Sequence, residues 1–91
     1  MNARRRRWHR VLKTEMARWS GKTSDELIEA LPEPQNYEVE FEGRTFQVEV
    51  QLLENTDRYL HVGLAVDDGT LPAAIVPAAE SFICAKPRQD P

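Results

Sequence analysis

Residues 37–66 read YEVEFEGRTFQVEVQLLENTDRYLHVGLAV, and the period of this stretch decides the fold. Tyr37, Val39 and Phe41 alternate with Glu38, Glu40 and Glu42. After Glu42-Gly43, the residues Phe46, Val48, Val50 and Leu52 alternate with Thr45, Gln47, Glu49 and Gln51, and a third run sets Leu60, Val62, Leu64 and Val66 on one side. Successive side chains of a strand point to opposite faces, so this two-residue period predicts three half-buried strands with one apolar and one polar face. Glu42-Gly43 suits a tight hairpin, and ENTD at 54–57 is rich in turn formers. Setting Glu54 opposite Arg58 aligns Val50 with Val62 and Val48 with Leu64, which keeps both apolar sets together. The polar face then carries Glu38, Glu40, Gln47, Glu49, Gln51 and His61.

One amphipathic layer has to bury its apolar face against something, and the cover lies upstream. In WHRVLKTEMARWS, Trp8, Val11, Leu12, Met16 and Trp19 recur at three- and four-residue steps and form a single stripe at helical pitch. Burying one large side chain such as Trp19 contributes roughly 2 to 3 kcal/mol. Gly21 provides a stop. Thr23 and Glu26 have capping-box spacing at the start of a short second helix, which ends before Pro32. Glu15 is the exception on the stripe: it falls inside the apolar sector, where an unpaired carboxylate is costly, so it either pairs with Arg18 three residues on or reaches the rim.

Downstream, Asp67-Asp68-Gly69 closes the third strand, and Pro72 and Pro77 keep LPAAIVPAAE from being a regular interior strand. SFICAK is a candidate fourth strand whose neighbour the sequence does not assign. The expected architecture is α+β: an N-terminal amphipathic helix, plus a short second helix, packed on a three- or four-stranded antiparallel meander. Ninety-one residues suit a single domain over 1–91, divided into a basic arm (1–7), a helical part (8–31), the meander (37–66) and a loop with a candidate final strand (67–91). No apolar run approaches the roughly 20 residues of a bilayer span, and no apolar segment of a secretory signal follows the basic start. A cytoplasmic, non-membrane protein is expected. The lone Cys84 forms no internal disulfide.

Charge divides the chain. Residues 1–22 hold eight cations against one carboxylate, while residues 23–91 hold four cations against fourteen carboxylates, so a start of +7 precedes a body of -10. Arg4, Arg5, Arg6, Arg7 and Arg10 sit near a helix N-terminus, where cations oppose the macrodipole by about 0.3 to 1 kcal/mol each. Local helix stability therefore does not account for them. With Lys13 they form the candidate partner-binding set, as an arm that orders against a partner's carboxylates or against phosphates. The plain alternative is a solvated terminus that aids solubility or pairs with the acidic body.

Enzymatic chemistry has weaker support. Cys84, Ser20, Ser24 and Ser81 are the nucleophile candidates, with His9 and His61 the only histidines. Cys84 meets His61 only if a fourth strand lies beside the third with both side chains on one face; a small apolar filler and a solvated histidine are the ordinary reading. His61 and Glu49 lack a third metal ligand with a forced position, Gly21, Gly43, Gly63 and Gly69 stand singly rather than in a phosphate loop, and the Asp67-Asp68-Gly69 turn lacks the later ligands of a calcium loop. The expectation is no enzyme, no catalytic residue, no cofactor and no metal.

The stretch YEVEFEGRTFQVEVQLLENTDRYLHVGLAVDDG, with RRRRWHRVL before it, resembles a group of small bacterial proteins that carry no assigned activity. The resemblance implies a bacterial, cytosolic setting and brings no site residue. Two functions are then open: a non-catalytic protein-interaction or regulatory module that binds a protein or a second copy, and a small nucleic-acid-binding protein using the arginine arm. The first is preferred, because the polar sheet face offers no aromatic platform for bases apart from Tyr59 at a strand end.

Overall fold

The protein is described by a computed structural model that places residues 3–69 and 78–87. Helix α1 (Ala3–Ser20) and helix α2 (Ser24–Ala30) precede four strands, β1 (Gln35–Phe41), β2 (Arg44–Asn55), β3 (Tyr59–Asp67) and β4 (Ala78–Ala85). The strands form one antiparallel sheet in the order β1-β2-β3-β4, and both helices pack on it. The two-layer α+β architecture and the meander are those expected.

The alternation does what a two-residue period requires. Phe46, Val48 and Val50 of β2 and Leu60, Val62, Leu64 and Val66 of β3 are buried beneath Trp8, Val11, Leu12 and Trp19 of α1 and Leu27 of α2. Thr23 caps α2: its hydroxyl accepts from the Glu26 N–H at 3.2 Å, and the Glu26 carboxylate accepts from the Thr23 N–H at 2.9 Å. That second bond holds the Glu26 carboxyl below its usual range. The β1–β2 hairpin turns on Glu42 and Gly43, both at positive φ (50° and 73°). Two such residues match the right-handed twist of the strands they join.

Two expectations are corrected and a third is extended. The register of β2 on β3 is displaced by two residues: Val50 pairs with Leu64 and Val48 with Val66, while Glu54 lies opposite His61 rather than Arg58. An even displacement preserves the faces, so the apolar sets still coincide. The reason is local. Thr56 tightens the turn, its N–H donating to the Tyr59 carbonyl at 2.9 Å and its hydroxyl accepting from the Arg58 and Tyr59 N–H groups. A bulge between Leu52 and Glu54 absorbs the remaining residue. Leu53, next after inward-facing Leu52, is on the polar face by alternation and lies over Gly63, where an added Cβ would come within 2.9 Å of Leu53 Cδ1.

Second, α1 begins at Ala3, so the arginine run is part of the helix rather than an arm ahead of it. Third, β4 begins at Ala78, three residues before SFICAK, and pairs with β3, for instance Phe82 with Val62. Pro72 and Pro77 lie outside the described residues.

Candidate functional site

Helix α1 presents two chemically opposite sides. The side toward the sheet holds Trp8, Val11, Leu12, Glu15 and Trp19, all buried. Arg6, Arg10 and Lys13 recur at steps of four and three on the side away from the sheet, and all are exposed. At 1.5 Å per residue they form a cationic ridge about 10 Å long. Among the described residues no ion pair engages these three.

The other predicted partner-binding residues part from the ridge. Arg7 turns back to the β1–β2 hairpin, where its Nε lies 3.5 Å from Glu42 Oε2. This contact belongs to the alternative in which the basic start pairs with the acidic body. Arg5 is exposed, and the Arg4 side chain lies outside the described residues. Sequence spacing separates the ridge from the buried stripe, but the Arg7–Glu42 contact joins residues 35 positions apart and carries no sequence signal.

Glu15 explains how α1 is seated. It is 4% exposed, so it does not reach the rim. Its Oε1 accepts from the Tyr37 hydroxyl at 2.5 Å and from Arg18 Nη1 at 3.3 Å, and the same Tyr37 oxygen accepts from Trp19 Nε1 at 2.8 Å. Burial, with the bond to Glu15, pushes the Tyr37 hydroxyl up to about 12. The sequence marks Glu15 as a carboxylate needing a partner; it does not mark Tyr37, 22 residues on. This network orients α1 on β1, which in turn orients the ridge outward.

The opposite surface of the molecule is the polar face of the sheet. Glu38, Glu40 and Glu49 are exposed there, so the two layers present opposite charge to solvent. Toward β4 the same face becomes apolar, with Gly63, Ala65 and Ala79 lining a shallow trough of about 370 Å³ beside Leu53 and Ser81.

Cys84 and His61 do not meet. Cys84 pairs with Leu60 on the helix-covered face, its Sγ 4.0 Å from the Lys22 carbonyl oxygen. His61 stands on the polar face, where its Nε2 is 2.8 Å from Ser81 Oγ and its Nδ1 is 3.6 Å from Glu54 Oε1. This carboxylate–histidine–serine order has the members of an acyl-transfer triad. Such a site also needs N–H donors aimed above the hydroxyl. Strand peptide N–H groups lie in the sheet plane, whereas Ser81 projects out of it. The array also ties β2, β3 and β4 together across the polar face.

A wider concavity of about 1120 Å³ lies between α2 and the β2–β3 turn, lined by Ser24, Asp25, Ile28, Asp57, Arg58 and Lys86. Its charges are mixed, and Lys86 Nζ donates to Asn55 Oδ1 at 2.6 Å. Among the described residues no group of three His, Cys, Asp or Glu side chains is placed to hold a metal ion, and no helix is long and apolar enough to cross a membrane. Comparison with protein-family models, with curated proteins and with solved structures finds no match for this chain.

Proposed function

We propose that this protein is a non-catalytic protein-interaction module of bacterial type, acting in the cytoplasm, and that the solvent side of α1 is its docking surface for an acidic protein segment. The observation that carries this reading is the ridge of Arg6, Arg10 and Lys13, exposed and without an ion pair among the described residues, on a helix whose other side is fixed by packing and by Glu15. A rigid helix presents its cations in one geometry, so a partner's carboxylates meet them at little cost in ordering. Exposed cations act chiefly through steering and specificity.

A protein partner fits better than nucleic acid for two reasons. The ridge is about 10 Å long, far short of the track of phosphates that gives duplex binding its strength. Phe41, Phe46, Phe82 and Tyr37 all belong to the helix-covered face and leave Tyr59, at a strand end, as the one aromatic ring on the open face among the described residues.

The reading is tested by capture from a nuclease-treated bacterial lysate, comparing the wild type with Arg6→Ser/Arg10→Ser/Lys13→Ser. The expected result is a set of acidic proteins retained by the wild type and lost from the variant. An identical set on both, or nucleic acid retained through these three residues when the nuclease is omitted, would overturn it.

A further inference from the structure

The sheet has two edges of opposite character. Edge strand β1 carries Glu38 and Glu40 within its seven residues, the kind of charged edge that discourages pairing with another chain. Edge strand β4, AAESFICA, carries one charge, Glu80, in eight residues. Ile83 on this strand is 58% exposed. Among the described residues no segment pairs with the far side of β4.

The hydrogen-bonding phase of β4 is fixed by its end. The Lys86 N–H donates to the Arg58 carbonyl at 2.8 Å. In an antiparallel ladder, alternate residues direct both main-chain groups to the same neighbour, so Cys84, Phe82 and Glu80 also bond to β3. Ala79, Ser81, Ile83 and Ala85 then direct their N–H and C=O groups to the open edge. A partner strand must meet those four.

We infer that a second copy of this chain pairs along β4, antiparallel, with the two-fold axis at Ile83. Charge and main-chain pairing together select this register: an axis at Cys84 also offers Glu80 a cation, Arg88, but sets Ser81 opposite Pro87, which has no N–H to give. With the axis at Ser81 or Phe82, Glu80 faces Phe82 or Cys84 of the other copy, and with the axis at Glu80 it faces itself. Only the axis at Ile83 sets Glu80 opposite the second copy's Lys86, and symmetry repeats that pair at the other end. To meet Glu80 of the second copy the Lys86 side chain gives up its bond to Asn55, which lies on β2, across β3 from the open edge. On the polar face Ile83 meets Ile83, removing apolar surface of both from water. The main chains exchange two bonds at each of the pairs Ser81–Ala85, Ile83–Ile83 and Ala85–Ser81.

The axis stands perpendicular to the sheet, so the four-stranded sheet doubles and both α1 ridges lie on one side. A dimer thus presents two copies of the surface assigned above, and an acidic partner that spans both gains by effective concentration. The pairing does not depend on that assignment, because the ridge and the β4 edge share no residue.

Sedimentation of the full chain between about 1 μM and about 1 mM tests the pairing. The wild type is expected to dimerise within this range. Ile83→Lys places two like charges on the axis, and its dimerisation is expected to be at least about ten-fold weaker, with an unchanged circular dichroism spectrum because Ile83 is outside the core. In a Cys84→Ser background, Ile83→Cys is expected to form an intermolecular disulfide on mild oxidation, since Cα atoms of a hydrogen-bonded pair lie about 5.5 Å apart, within disulfide reach. A wild type that stays monomeric, an Ile83→Lys variant that dimerises as well as the wild type, or preferential crosslinking through Ser81→Cys would overturn the proposal. None of these results bears on capture through the ridge.

Discussion

The two sides of α1 differ in what holds them to their roles. On the side toward the sheet every residue has a partner inside the molecule, down to Glu15, whose carboxylate receives Tyr37 and Arg18. On the far side Arg6, Arg10 and Lys13 have no ion-pair partner among the described residues, and the helix dipole opposes Arg6, which lies in the first turn. Folding explains the first side and leaves the second unexplained. The lesson is that one helix carries two separable sets of residues, and substitutions can remove either while sparing the other.

The largest effect is expected on the buried side. Trp19 is 5% exposed, and it both fills the core and donates to Tyr37. Trp19→Ala should destabilise the protein by about 3 to 5 kcal/mol, measured by urea denaturation. A loss below about 1 kcal/mol would show that α1 is not seated on the sheet through this residue.

A smaller effect, specific in its pH dependence, is expected from the polar network. The Tyr37 hydroxyl is raised from 10 to about 12 in the folded state, so the folded protein holds this proton more tightly than the unfolded chain. Its contribution is fully present below pH 10 and is lost as pH rises through about 12. Stability should therefore decline across that window, and Tyr37→Phe should remove this part of the decline while costing about 1 to 3 kcal/mol at neutral pH, because Glu15 loses its hydroxyl donor. Unchanged alkaline behaviour in Tyr37→Phe would break the link between Glu15 and β1.

The smallest effect on folding is expected on the exposed side. Arg6→Ser/Arg10→Ser/Lys13→Ser should leave the urea midpoint within about 0.5 kcal/mol of the wild type. A larger loss would mean that the ridge serves the fold, and the contrast between the two sides would collapse.

Much of this arrangement is legible in the sequence because it rests on local periodicity. The alternation of Tyr37–Val66 predicts the sheet, and the spacing of Trp8, Val11, Leu12 and Trp19 predicts its cover. Register is less legible: the change from Val50–Val62 to Val50–Leu64 arises from a threonine turn and a bulge at adjacent leucines, and both alternatives satisfy the same face pattern. The site is least legible where contacts join distant positions. Glu15 asks for a partner without naming Tyr37, and nothing in the four consecutive arginines tells which one turns back to Glu42.

Salt dependence of binding to mixed-sequence duplex DNA tests the central claim about the ridge most directly. Acidic proteins compete through the same cations, but only phosphate binding releases condensed counterions in proportion to the phosphates neutralised. The account predicts weak binding at an ionic strength of about 0.15 M, with the slope of log K against log salt little changed in the Arg6/Arg10/Lys13 variant. Tight binding under those conditions, with a slope near -0.9 per neutralised phosphate that flattens in the variant, would contradict it and make the ridge a nucleic-acid element.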